Sequence, residues 1–304
     1  PALKAAIRRY VERRVGATFS DKEIIASCGA KHSLYNAFLT LLDPGDEVII
    51  PAPYWVSYPT QVEMAGAKPV FVDGLASNDF VPTVEALEAA VTDRTTAIVI
   101  NNPSNPTGAF WNADQVRAIA EWLGRHPNIV VISDSIYDEL VYDGGAATEL
   151  LTIAPELRSR YILINGFSKA FAMTGWRLGY TCGPAPFIAA MENFQSQATS
   201  NPTTVAQSAG IAALELGDTI IAPMRVSFER RRDLIYGLLS AIPGLDVVKP
   251  KGAFYIFPSA APLLGKRAGD RVITDDMVFA EYLLDEVQTV IAGDDAVVGA
   301  LPEA

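Results

Sequence analysis

Residues 164–179 read Ile164-Asn165-Gly166-Phe167-Ser168-Lys169-Ala170-Phe171-Ala172-Met173-Thr174-Gly175-Trp176-Arg177-Leu178-Gly179, setting one lysine in a mostly apolar loop and one guanidinium eight residues later. A lysine among Gly, Phe, Ala and Met is poorly solvated, which favours the neutral amine and makes it a better nucleophile towards an aldehyde. The planar fork of the arginine can donate two parallel hydrogen bonds to a phosphate. The stretch therefore reads as a site for a small molecule carrying both an aldehyde and a phosphate. An arbitrary lysine and arginine in a loop would more simply solvate the surface, and the rest of the chain separates the two readings.

The lysine loop lies between two short β-branched or apolar runs, at 161–164 and 178–181. Comparable runs occur at 48–50, 69–72, 97–100 and 129–132, and helical periods fill most of the gaps, as at 84–91 and 115–123. Such alternation predicts an α/β fold with a mostly parallel sheet flanked by helices. Ligands of these sheets sit beyond the carboxyl ends of the strands. Asn105, Asp134 and Lys169 each follow one of the runs. A large domain is expected over residues 1–215 and a smaller α+β C-terminal domain over 216–304. In the latter, a long helix at 219–240 places Ile220, Ile221, Met224, Phe228, Leu234, Ile235 and Leu238 on roughly one side. Its Arg230-Arg231-Arg232 run reads as a solvated face. A short strand at 253–257 and a helix near 275–286 follow. Leu3, Ala6, Ile7, Tyr10 and Val11 recur at helical spacing, so a helix opens the chain and an upstream segment is expected.

Composition narrows the classes further. A net charge of −11 over 304 residues disfavours a nucleic-acid or anionic-membrane partner. No apolar run has the length of a membrane span, and no secretion leader is visible. Cys28 and Cys182 read as buried thiols of a reducing cytoplasm. Two histidines and two scattered cysteines offer almost no ligands to a transition metal.

Several motifs stand in order along the chain: Cys28-Gly29-Ala30-Lys31, Pro53-Tyr54-Trp55-Val56-Ser57-Tyr58-Pro59, Asn105-Pro106-Thr107-Gly108, Ser133-Asp134-Ser135-Ile136-Tyr137, the lysine segment, and Gly252-Ala253-Phe254-Tyr255. Together they resemble the fold type I aminotransferases that depend on pyridoxal phosphate (PLP), class I, and within them the bacterial aspartate aminotransferase subgroup. The resemblance covers roughly residues 1–286. It implies transamination between an acidic amino acid and a 2-oxo acid such as 2-oxoglutarate, in a homodimer. Lys169 would be the Schiff-base lysine and proton shuttle, Asp134 the partner of the pyridine nitrogen, and Tyr137 and Asn105 the donors to the cofactor's phenolate oxygen. Arg177, the backbone N–H groups of Gly29, Ala30 and Lys31, and Ser168 would hold the phosphate. Trp55 would stack on the ring, and Lys31, with Trp55 and Asn105, would meet the substrate. Relatives carry cis peptides at the prolines matching Pro53 and Pro106, so both are expected cis here.

For each of these residues a plainer reading exists: a strand-end Asp134 capping a helix, a turn-forming Asn105-Pro106, a core Trp55, a solvated Lys31. Ser135 stands where relatives usually have glutamate, and Gly166 where the best-known relatives carry their phosphate serine. The family's C-terminal motif, with its arginine for the substrate α-carboxylate, is not found after Glu286, and the N-terminal arm is not found before Pro1. The resemblance therefore implies weak transamination by these residues alone. Two other activities remain open on the same scaffold, a PLP-dependent C–S β-lyase and an aminotransferase of other specificity. A non-catalytic PLP or ligand sensor domain of a transcription regulator is the reading from a different class.

Overall fold

The computed structural model describes residues 1–287 and 289. Strands β1 (Ile24–Ser27), β2 (Glu47–Ala52), β3 (Lys68–Asp73), β4 (Thr95–Asn101), β5 (Val130–Asp134), β6 (Tyr161–Gly166) and β7 (Gly179–Cys182) form one seven-stranded sheet in the order β1-β7-β6-β5-β4-β2-β3. β2 to β6 run parallel, and β7 alone runs antiparallel to both of its neighbours. The fold is thus the mostly parallel, helix-flanked sheet that the periodicity predicts. β1 is the strand that periodicity misses, because only two of its four residues, Ile24-Ile25-Ala26-Ser27, are β-branched.

The helices are α1 (Ala2–Val15), α2 (Ala30–Leu41), α3 (Ser57–Met64), α4 (Val84–Ala90), α5 (Ala113–Arg125), α6 (Leu150–Ile153), α7 (Ala185–Ala198), α8 (Thr204–Leu216), α9 (Asp218–Ser240) and α10 (Asp276–Val287). They cover both faces of the sheet. Side-chain alternation along each strand feeds two cores. Ile49, Ile98 and Leu163 face a core closed by α1, α4, α5, α6 and α8, while Val48, Ile50, Val99 and Ile162 face one closed by α2, α3 and α7. Fully burying one such side chain as Phe38 contributes about 1.5–3 kcal/mol. No helix among the described residues is long and apolar enough to cross a membrane.

From α9 onward the structure departs from the sequence reading. Arg232, expected on a solvated face, is 5% exposed. Its guanidinium forks onto Asp143 at 2.8 and 3.0 Å, donates to the Pro250 carbonyl at 2.8 Å and lies 4.9 Å from the Tyr142 ring centroid. It staples α9 to two distant loops, partners that a local charge run cannot reveal. Conversely Ile220, Leu234, Ile235 and Leu238 are exposed, and Ile221 is the buried apolar residue of this helix.

The strand expected at 253–257 does not form. Gly252 makes a single bridge to Val141, and Ala253 turns into the left-handed region (φ 54°) while its N–H bonds the Leu140 carbonyl at 2.8 Å. Phe254 and Tyr255 are turned onto Tyr137 instead of into a ladder. The strands present there are short: β8 (Asp246–Val247) pairs with β9 (Pro258–Ser259), and β10 (Arg267–Ala268) with β11 (Arg271–Val272). The divergent tail and the expected loss of its arginine fall largely at 288 and 290–304, outside the described residues.

Candidate functional site

The site forms at the carboxyl ends of β4, β5 and β6. Asp134 closes β5, and the register sets it between Asn101 of β4 and Ile164 of β6. The buried Asn101 side chain donates to the Asp134 carbonyl at 2.8 Å and accepts from the Asn105 N–H at 2.8 Å, fixing two loops with one amide. The Asp134 carboxylate is 3% exposed. Tyr58 Oη donates to Oδ2 at 2.7 Å and the Ile136 N–H to Oδ1 at 3.3 Å, and neither donor is a cation. Burial pushes this carboxyl up to about 6, against the opposing pull of those two bonds and of Lys169. A second, matching cation would be well placed here.

Lys169 lies on the half-buried loop beyond β6, its Nζ 5.6 Å from the Tyr137 ring centroid and 5.0 Å from that of Phe254. Desolvation lowers its pKa, the Arg177 charge lowers it further, and Asp134 offsets part of the shift. Burial and then the neighbouring Tyr255 raise the Tyr137 phenol, whose Oη shares a 2.7 Å hydrogen bond with Tyr255 Oη and reaches Asn105. Neutral phenols and a lysine inclined to lose its proton therefore meet a buried carboxylate at one point.

A phosphate-sized anion would sit beside this cluster, at the start of α2. Gly29 caps that helix with φ 96° and no capping side chain. Its own N–H is donated to the Ser27 carbonyl at 2.8 Å, so the donors left for an anion are those of Ala30 and Lys31. Arg177 is exposed, yet its guanidinium lies over Gly29: a Cβ there would fall 2.4 Å from Nη2. Nη1 reaches the Thr174 carbonyl at 2.9 Å and Ser168 Oγ at 3.5 Å. Gly179 of β7 is held to glycine for a related reason, since a Cβ would fall 2.5 Å from the Ala30 nitrogen. A cavity of about 510 Å³ opens beside the guanidinium, lined by Cys28, Trp176, Thr203 and Ala206 among others. Cys28, expected buried, is half-exposed there, whereas Cys182 is buried and both thiols are free.

On the other side, Trp55 stands edge-on to Tyr58, and Lys31 Nζ lies 4.8 Å from the Trp55 ring centroid. Ala52–Pro53 and Asn105–Pro106 are cis, as is Asn102–Pro103. The structure thus brings Lys169, Asp134, Tyr137 and Asn105 together, with Arg177, Ser168 and the α2 N-terminus adjacent. Sequence reading missed Tyr58, Asn101 and Tyr255 as members of the cluster. Tyr58 and Tyr255 lay inside quoted motifs, and a tyrosine within each motif was the available signal.

The sequence profile of aminotransferase class I and II matches residues 1–295. An aspartate aminotransferase of Geobacillus stearothermophilus is 45% identical over 291 residues, 96% of this chain and 73% of the relative. An aspartate/prephenate aminotransferase of Cereibacter sphaeroides is 44% identical over 292 residues, 96% of this chain and 73% of the relative. Among solved structures, the aspartate aminotransferase from Rhizobium meliloti superposes with a TM-score of 0.95 at 43% identity, covering 99% of this chain and 76% of that one.

Proposed function

We propose, since this chain belongs to the class I and II aminotransferase family, that it performs PLP-dependent transamination between an acidic amino acid, aspartate or glutamate, and a 2-oxo acid such as 2-oxoglutarate. The names of the relatives support aspartate as amino donor. The observation that carries the reading is a buried carboxylate short of a cation, Asp134, beside a partly desolvated amine, Lys169.

The donor set fits PLP. Asp134 would face a protonated ring nitrogen, Tyr137 and Asn105 the phenolate oxygen, and Arg177 with the Ala30 and Lys31 amides the phosphate. Ser168 Oγ lies close enough to Arg177 to join them. Lys169 would hold the cofactor through its aldehyde. Bound PLP supplies an electron sink for the pair left when the substrate Cα–H bond breaks. Asp134, ionised by the cation it would meet, would keep that nitrogen protonated. Lys169 Nζ, once the substrate amine has taken its place on the aldehyde, would act as the general base that takes the proton from Cα, and its lowered pKa favours the neutral amine this needs. Trp55, edge-on to Tyr58, would stack on the ring, and Lys31 beside it would offer a cation to the distal carboxylate of an acidic substrate.

We divide the chain into a large domain, 1–215, and a small one from 216; the left-handed Gly217 between α8 and α9 supports that boundary. Exposed Met64, Phe71 and Leu75 support a second copy of the chain as partner. The free thiols fit a cytoplasmic setting. Exchange of the aspartate α-hydrogen in deuterated buffer tests the reaction without an oxo-acid acceptor. PLP-loaded protein should absorb in the visible and exchange, slowly for these residues alone and faster in a longer chain that carries the family's carboxylate-binding arginine. Lys169→Ala should lose both, and Asp134→Ala should keep bound PLP while exchange collapses. Exchange untouched by both substitutions would refute these roles.

A further inference from the structure

Residues 134–140 carry two of the site's groups, Asp134 and Tyr137, and buried polar side chains outside the proposed reaction hold them from behind. Asp138 is 8% and Glu139 1% exposed. Asp138 Oδ2 accepts from Asn165 Nδ2 at 3.0 Å, a fully buried bond. Asn165 is itself fixed, its Oδ1 accepting the Gly166 N–H at 2.7 Å. Asp138 adjoins Tyr137, and Asn165 lies on β6 four residues before Lys169. One side-chain bond therefore spans the two loops whose tips are Tyr137 and Lys169.

The groups facing Asp138 come from every side. Glu139 is its neighbour in sequence, held by Tyr10 Oη at 2.5 Å and Arg14 Nε at 3.1 Å from α1. Glu149 approaches from the start of α6, Tyr180 from β7 and Asn165 from β6. Arg14 is the one cation among these groups. Asp138 Oδ1 and Glu139 Oε2 have no hydrogen-bond partner among the described residues. Burial first, and then the Glu139 charge, push Asp138 up to about 8. The protonated form that this favours still accepts from Asn165, without adding a second charge beside Glu139.

We infer that Asp138 is a positioning residue: through its buried hydrogen bond to Asn165 it fixes the Lys169 loop against Tyr137. The inference rests on the proposed function, in which the Lys169 amine is the reacting group. Its action is indirect, since Asp138 touches neither substrate nor cofactor. A displacement of about 1 Å at a reacting group can slow a reaction by roughly a hundredfold, so the bond has a function to serve beyond stability.

The test uses the full chain without PLP. Lys169 is labelled with trinitrobenzenesulfonate across a pH series, its modification is followed by peptide mass spectrometry, and the pH midpoint of reactivity is compared among variants. Asp138→Leu keeps bulk and removes the acceptor; Asn165→Ala cuts the same bond from the other side. Each should raise the midpoint and lower Lys169 reactivity at neutral pH by roughly threefold to tenfold, the equivalent of one net hydrogen bond. The double variant should do no more than either single one, because both remove the same contact. Asp138→Asn keeps an acceptor for Asn165 and cannot ionise. It should hold the wild-type midpoint, because the contact with Asn165 is kept.

A fall in unfolding stability with the Lys169 midpoint unmoved in Asp138→Leu and Asn165→Ala overturns the inference. If Asp138→Leu does not fold, Asn165→Ala decides alone on the same criterion. Failure of the PLP reading would show separately, as wild-type protein that gains no visible absorption when PLP is added.

Discussion

Replacing Tyr58 by phenylalanine removes one hydroxyl and leaves the ring that packs edge-on to Trp55. The lost bond, Tyr58 Oη to Asp134 Oδ2 at 2.7 Å, is buried and made to a carboxylate. Such a bond is worth about 1.5–3 kcal/mol when the acceptor is ionised and about 0.5–1.5 kcal/mol when it is neutral. At about 1.4 kcal/mol per unit, the difference between those two worths, about 1–1.5 kcal/mol, moves Asp134 up by roughly one unit, from about 6 towards neutrality. The sign follows from linkage. The folded-state pKa of Asp134 already exceeds the unfolded value of about 3.9, so the folded chain keeps a proton that the unfolded chain has released. The contribution of Asp134 to wild-type stability therefore falls as pH rises from about 4 through the folded pKa, and levels off above it. In Tyr58→Phe the fall continues to higher pH. Urea unfolding of both cofactor-free proteins at pH 5 and pH 9 measures the difference. The variant should lose about 1 kcal/mol at pH 5 and about 1–1.5 kcal/mol more at pH 9. Equal losses at the two pH values would show that Tyr58 does not stabilise the charged form of Asp134, and would remove the electrostatic account of the site.

Gly29→Ala should forfeit about 1–2 kcal/mol of stability, because φ of 96° disfavours any side chain. Its larger effect should be on PLP affinity, since the new Cβ displaces the Arg177 guanidinium; an absorbance titration giving wild-type affinity would contradict the phosphate assignment. Arg232→Met keeps an apolar stem and loses the fork onto Asp143 and the bond to the Pro250 carbonyl. Asp143 is largely solvated, so the loss should stay near 2–4 kcal/mol in urea unfolding, roughly the worth of these charge-assisted bonds. A loss below about 0.5 kcal/mol would mean that α9 is held by other contacts.

The sequence by itself determined the sheet's parallel part and the places where chemistry could gather. Runs such as 97–100, 129–132 and 161–164 became β4, β5 and β6, and a parallel strand must release its chain at one common edge. Asn105, Asp134 and Lys169 stand just at or past those strand ends, so their convergence was legible from local pattern and spacing. Gly29 and Gly179 were equally legible as glycines in motifs, though the reason for them, a helix start pressed between β7 and a guanidinium, is a contact between segments far apart in the chain. Only the tertiary structure decided which tyrosine reaches which carboxylate. Tyr58 meets Asp134 across 76 residues, and Tyr137 meets Tyr255 across 118. Arg232 read as solvent-facing until α9 was set against Asp143 and Pro250. The expected strand at 253–257 gave way to a turn in which Ala253 takes φ 54° and the aromatics of Phe254 and Tyr255 pack on Tyr137, contacts set by a segment far away in the chain. Hydrophobic periodicity is a local property and survives in the sequence, whereas partners for buried polar groups are chosen by strand order and helix docking, which exist only once the chain is folded.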